Sequence, residues 1–221
     1  ISMNQSGFPF ETTDQVFCSP AVVDLDQNGD NEIIFGDNSG MLYFLNHDMN
    51  IYNSYDMGDE IWGAPAVDDL DGDGYLEVAI TCKNGFFYIF DYTGNMVVEY
   101  DTEQYLLGSP SIGTDSSDGS KRIIIPTYSS DGEIISFQYN PGGNDISSFE
   151  VNKKIKKGVA LHDFNGDGGS DYVYGTDSNT LEVAIYTTSG YQISNIFEVG
   201  DKIQSAPIII EFNNNKFLII A

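Results

Sequence analysis

A proline-centred segment that returns at a near-constant interval, short runs of Val, Ile, Phe and Tyr broken by Gly, Asn and Asp, and the lack of any sustained helical periodicity predict an all-β chain of repeated four-stranded units. This is the architecture of a β-propeller. The segment Ser19-Pro20-Ala21-Val22-Val23-Asp24-Leu25-Asp26 returns as Ala64-Pro65-Ala66-Val67-Asp68-Asp69-Leu70-Asp71. Weaker copies begin at Ser109-Pro110, Gly158-Val159 and Ala206-Pro207. The interval is 45 residues from Pro20 to Pro65 to Pro110, then 49 and 48.

The repeats run approximately over 17–61, 62–106, 107–155, 156–203 and 204–221, the last combined with 1–16, in one domain spanning 1–221. In the second unit, strands are expected over 66–70, 77–81, 86–91 and 96–100, with turns at Asn84-Gly85 and Thr93-Gly94-Asn95. The unbroken runs Ile123-Ile124-Ile125 and Ile208-Ile209-Ile210 read as strands buried on both faces. Residues 7–16 align with 52–61, the end of a unit, and 205–221 supplies only two strands. Joining the two termini in one composite blade makes five blades without exposed edges. The alternative is a partial segment of a six- to eight-bladed ring.

The turn between the first and second strands carries the strongest chemical signal. It reads Asp24-Leu25-Asp26-Gln27-Asn28-Gly29-Asp30-Asn31-Glu32 in the first unit and Asp69-Leu70-Asp71-Gly72-Asp73-Gly74-Tyr75-Leu76-Glu77 in the second. The fourth reads Asp163-Phe164-Asn165-Gly166-Asp167-Gly168-Gly169-Ser170-Asp171. Oxygen side chains stand at positions 1, 3, 5 and 9, and Gly stands at 6. Alternate residues of a tight loop converge on one point, and a hard cation such as calcium takes about six to eight oxygens there. Position 7 (Asp30, Tyr75, Gly169) varies, as expected of a residue that offers only its carbonyl. Position 9 (Glu32, Glu77, Asp171) returns an acid from the second strand. Magnesium demands a smaller rigid octahedron, and zinc prefers Cys and His. About three calcium sites are therefore expected. The third unit has Thr114, Ser116, Asp118 and Arg122 at the ligand positions, and a fixed guanidinium there opposes a cation. The fifth, with Glu211, Asn213 and Asn215, is too short to wrap one.

Acids outnumber bases 34 to 9, for a net charge of −25, which argues against nucleic-acid and anionic-membrane partners. No apolar run is long enough to span a bilayer, so no membrane insertion is expected. The chain opens on Ile1 and reads as a mature or excised segment. Cys18 and Cys82 read as free, half-buried thiols, with a mutual disulfide as the alternative in an exported protein.

These residues resemble the FG-GAP/VCBS-type repeats, of which the integrin α-subunit propeller is the familiar member. The resemblance rests on Phe35-Gly36 at the end of a second strand and on Gly63-Ala64-Pro65 ahead of a first strand. A loop set between Pro20-Ala21-Val22 and Glu32-Ile33-Ile34, or between Pro65-Ala66-Val67 and Glu77-Val78-Ala79, completes it. It covers essentially the whole chain. It implies a calcium-binding extracellular or cell-surface module for adhesion, taking a protein or carbohydrate ligand, either monomeric or part of a larger multidomain protein. The segment 85–94 is also similar to blades of quinoprotein propellers, without their adjacent cysteines.

No enzyme is expected. His47 and His162 stand apart, and no Ser/His/Asp grouping or phosphate loop recurs. The alternative function is the propeller of a secreted lyase or glycosidase that uses a pair of acids outside the loops. Phe17, Trp62 and Tyr105 read as equivalent inter-blade packing residues. Residues 153–157 hold four of the nine bases and read as a solvated strand end.

Overall fold

The structure is a computed structural model that describes residues 9–212 and 215–219. It contains two compact units, Ile1–Leu106 and Leu107–Ala221, divided at the boundary between the second and third repeats.

The first unit holds two four-stranded antiparallel sheets, each in plain sequence order. One comprises β1 (Ala21–Val23), β2 (Glu32–Gly36), β3 (Met41–Leu45) and β4 (Ile51–Asp56). The other comprises β5 (Ala66–Asp68), β6 (Glu77–Thr81), β7 (Phe86–Phe90) and β8 (Met96–Asp101). The second strand of each sheet is almost wholly buried and the fourth is largely exposed, so hydrophobic content falls from the middle of a blade to its outer edge. Leu25, Ile34, Phe44, Ile61, Val78, Ile80 and Phe90 share one core cluster, and the rings of Phe44 and Phe90 lie 5.3 Å apart.

The second unit repeats the plan. Its first blade comprises β9 (Ser111–Thr114), β10 (Lys121–Pro126), β11 (Glu133–Gln138) and β12 (Asp145–Glu150). Its second comprises β13 (Ala160–His162), β14 (Asp171–Gly175), β15 (Thr180–Thr187) and β16 (Gly190–Glu198). A two-stranded sheet of β17 (Ile208–Phe212) and β18 (Asn215–Ile219) follows. Ile124, Ile134, Ile155, Tyr172 and Tyr174 form a core cluster of this unit.

One connector within each unit is tied to two blades at once. The Ile61 amide donates to the Asp37 carbonyl in the first blade, and the Glu60 carbonyl accepts from the Lys83 amide in the second. In the second unit Ile155 donates to Thr127 while Lys154 accepts from Asp177, and Ile203 donates to Thr176. The same connectors explain two glycines. A Cβ on Gly36 would lie 2.4 Å from Ile61, and one on Gly175 would lie 2.2 Å from Ile203. The glycine of Phe35-Gly36 is thus a receptor for the next blade's isoleucine.

Several expectations need correction. The first strand of the second blade ends at Asp68, two residues early, because the acidic loop begins at Asp69. Cys18 and Cys82 are free but fully buried, each with its Sγ directed at backbone carbonyls: Gly36 for the first, Asp59 for the second. Phe17 and Tyr105 are 59% and 61% exposed; Phe17 meets the half-buried Trp62 edge-on at 5.8 Å, and the fully buried connector residue is Ile61. Ile123–Ile125 are buried, but Ile208 and Ile210 are 49% and 43% exposed, since their strand belongs to a two-stranded sheet. The composite blade depends partly on residues 1–8, which lie outside the described residues; 9–11, aligned with the end of a fourth strand, carry no strand.

Candidate metal centres

Strand register builds each acidic loop. Val23 pairs with Glu32, Asp68 with Glu77, and His162 with Asp171. The strand residue just before the loop therefore stands beside the acid that closes it. The eight residues of 24–31, 69–76 and 163–170 must reverse the chain over one strand spacing. They do so through two left-handed residues, at positions 4 and 6: Gln27 (φ 59°) and Gly29 (96°), Gly72 (80°) and Gly74 (92°), Gly166 (79°) and Gly168 (88°). Left-handed backbone suits glycine, and Gln27 adopts it against the steric cost of its Cβ. The sequence reading used position 6 only; Gly72 and Gly166 were the available signal for position 4.

The three loops share one hydrogen-bond ladder. The position 1 carboxylate accepts from the position 6 amide: Gly29 to Asp24 at 3.0 Å, Gly74 to Asp69 at 3.1 Å, Gly168 to Asp163 at 3.0 Å. The position 5 oxygen accepts from the position 7 amide at 2.8 Å in each loop, from Asp30, Tyr75 and Gly169. The position 3 oxygens of Asp26, Asp71 and Asn165 accept from the amides of Asn28, Asp73 and Asp167. The position 9 acids are buried and anchored by the position 2 amide: Leu25 to Glu32 at 2.9 Å, Leu70 to Glu77 at 2.8 Å, Phe164 to Asp171 at 2.7 Å.

The outcome differs among loops. Carboxylate oxygens of Asp24, Asp26 and Glu32 lie within 4.8 Å of one another, and so do those of Asp69, Asp71 and Glu77. Asp24 Oδ1 is buried and has no protein hydrogen-bond partner, so this donor set has an unused acceptor facing inward. The fourth-unit loop forms no such triad among the described residues. Its position 3 is Asn165, whose amide donates to Asp167 and to the Tyr186 carbonyl. Asp171 is one methylene shorter than Glu, and its second oxygen accepts from the Tyr186 amide at 2.9 Å. Among the position 7 residues, Asp30 faces His47 at 3.5 Å, while the exposed Tyr75 stacks on Tyr92 at 4.3 Å.

Burial pushes the Glu32 carboxyl up, helped by Asp26 and Asp24 and opposed by the Leu25 amide. Burial pushes Glu77 up to about 7, against the Leu70 amide and with repulsion from Asp71, Asp73 and Asp69. Asp171 is raised by burial, with the Tyr186 and Phe164 amides opposing. Crowded carboxylates of this kind are relieved by a proton or by a cation. The all-oxygen donor set of the first two loops fits a hard divalent ion.

In the third unit Arg122 stands in the closing position, as expected, and its guanidinium is paired with Asp115 (2.7 Å) and Asp145 (2.5 Å). In the fifth, Phe212 pairs with Asn215, and the expected ligand position Asn213 lies outside the described residues.

No protein-family model matches the sequence, and no curated protein matches it. Solved structures are similar in fold. The chain superimposes on BBS1N from a complex with ARL6DN with a TM-score of 0.65 at 13% identity, over 93% of this chain and 62% of that one. It superimposes on the C-terminal domain of Pseudomonas aeruginosa PilY1 with a TM-score of 0.64 at 14% identity, over 85% of this chain and 51% of that one. The chain thus spans about half to three-fifths of these neighbours. Both are β-propeller domains, and the sequence-ordered four-stranded antiparallel sheets described above have the same architecture.

Proposed function

We propose that this chain is a non-catalytic, protein-binding β-propeller module of FG-GAP type, exposed outside the cell, whose blades are locked by calcium in their first hairpins. The observation that carries this reading is the repeated loop. Three loops share one backbone path and one ladder, and two of them hold three carboxylates within 4.8 Å. Asp24, Asp26 and Glu32 would hold one ion, and Asp69, Asp71 and Glu77 another, with Asn28 and Asp73 contributing side-chain oxygens. The fourth-unit loop, with Asp163, Asn165, Asp167 and Asp171, would be the weakest. A bound calcium supplies positive charge that neutralises the loop acids; the residues themselves orient the hairpin.

Protein binding is supported by the neighbour in fold that was solved as BBS1N in complex with ARL6DN. The strong negative charge favours a partner with a basic face. Arrays of purified proteins and of polysaccharides, probed with the chain in calcium and in chelator, test the reading. Retention of a protein that chelator releases supports it. Turnover of a polysaccharide, or retention indifferent to calcium, contradicts it.

A further inference from the structure

The geometry points to a second site in the Leu107–Ala221 unit: a cleft that takes a neutral, polyhydroxylated ring, one pyranose of a sugar. It goes beyond the protein-docking reading, and Gly169 of the fourth-unit loop also lines the cleft.

The cleft has a volume of about 180 Å³, below the ~300 Å³ of a pocket for a drug-sized ligand. That is room for a single sugar ring. One wall comes from the face of the third blade that carries Arg122 on β10, Ser136 on β11, and Asp145 and Ser147 on β12. Ser136 and Ser147 are directly cross-strand. The other wall is Tyr186 and Tyr191 of the β15–β16 hairpin.

Arg122 is held rigidly. Its Nε donates to Asp115 at 2.7 Å, Nη2 to Asp145 at 2.5 Å, and Nη1 to Ser136 Oγ at 3.4 Å. Asp115 is fixed in turn by the Ser117 amide and hydroxyl. Tyr191 is fixed by stacking on Tyr172 at 4.0 Å and by donating its hydroxyl to the Ser170 carbonyl at 2.8 Å.

The charges select the ligand class. One guanidinium with two carboxylates leaves a net negative cleft on a chain of charge −25, which repels phosphates, carboxylates and acidic sugars. The guanidinium itself repels a bare cation. What remains is a neutral molecule that donates and accepts at adjacent positions and offers an apolar C–H face to tyrosine rings. Vicinal sugar hydroxyls meet the fixed carboxylate, guanidinium and serine groups, and the pyranose ring meets the aromatic wall.

The test is saturation-transfer NMR on the whole chain in calcium with neutral monosaccharides (glucose, galactose, mannose, fucose and N-acetylglucosamine), with sodium acetate and phosphate as anion controls. At least one sugar should show transfer with millimolar affinity. Ser147→Trp, at an exposed strand position, should weaken it by roughly tenfold or more at unchanged melting temperature. Tyr186→Ala should do the same. Silence from every sugar, binding that both variants leave intact, or binding of the anions instead would overturn the proposal. The protein reading is tested separately, by chelator release of a retained protein, so failure of one is distinguishable from failure of the other.

Discussion

The Ile61 amide donates to the Asp37 carbonyl at 3.2 Å, and the Ile61 side chain fills the space that a Cβ on residue 36 would claim. One connector residue thus joins the first blade to the second through both backbone and side chain. Gly36→Ala places a methyl 2.4 Å from Ile61 and should destabilise the chain by about 1–3 kcal/mol in urea unfolding. Combined with Ile61→Ala, which removes the Cγ2 and Cδ1 atoms at 2.4 and 2.7 Å, it should cost less than the sum of the two single losses. If the two substitutions are simply additive, the packing account of this glycine is wrong.

The fourth-unit loop should contribute less to cation binding than the other two. Asp171 already accepts from two backbone amides, whereas the Asp24, Asp26, Glu32 and Asp69, Asp71, Glu77 sets converge. In calcium titrations, Glu77→Gln should remove one tight site. Asp163→Asn should alter only the weakest step. Equal losses from both variants would contradict the ranking.

Much of this loop geometry was legible in the sequence. Asp and Gly recur at fixed spacing within a few consecutive residues, so local chemistry declares itself wherever the repeat is found. The second-strand and third-strand positions of the blades were legible for the same reason. What was hidden depends on residues far apart in the chain. The Tyr186 amide that engages Asp171 comes from β15, and the pairing of Arg122 with Asp145 joins β10 to β12. Tyr105 misled because aromaticity was read as burial, whereas the connector's buried anchor is an isoleucine.

The metal-free chain should lose stability as pH rises through the range in which Glu77 ionises. Its folded pKa is raised to about 7 from 4.5, so the folded state holds a proton that the unfolded state has released. Stability is therefore greater on the acid side of that window and declines across it. Calcium reverses the trend, because the ion requires the ionised form. Thermal melts in chelator at a pH of about 5 and about 7.5 should show the higher melting temperature at acid pH, and Glu77→Gln should flatten the difference. A melt that rises with pH in chelator would count against this assignment.

Arg122 should matter for stability in a way lysine cannot replace. Its side chain is 14% exposed and bridges Asp115 and Asp145 from different nitrogens. Arg122→Ala leaves Asp115 unpaired beside a buried strand and should cost about 1–3 kcal/mol, less than a fully buried pair because Asp145 is 63% exposed. Arg122→Lys reaches one partner only and should restore less than half, as read by denaturant midpoints. Full rescue by lysine would show that charge alone, not the fork, is used.

The most direct test of the central claim is native mass spectrometry of the chain in calcium, alongside the double variant Glu32→Gln, Glu77→Gln. The account predicts at least two calcium ions retained by the wild-type chain and both tight ions lost in the variant, with a melting temperature that chelator lowers in the former and leaves unchanged in the latter. A wild-type chain that retains no calcium, or a variant that retains as much as the wild type, would contradict it.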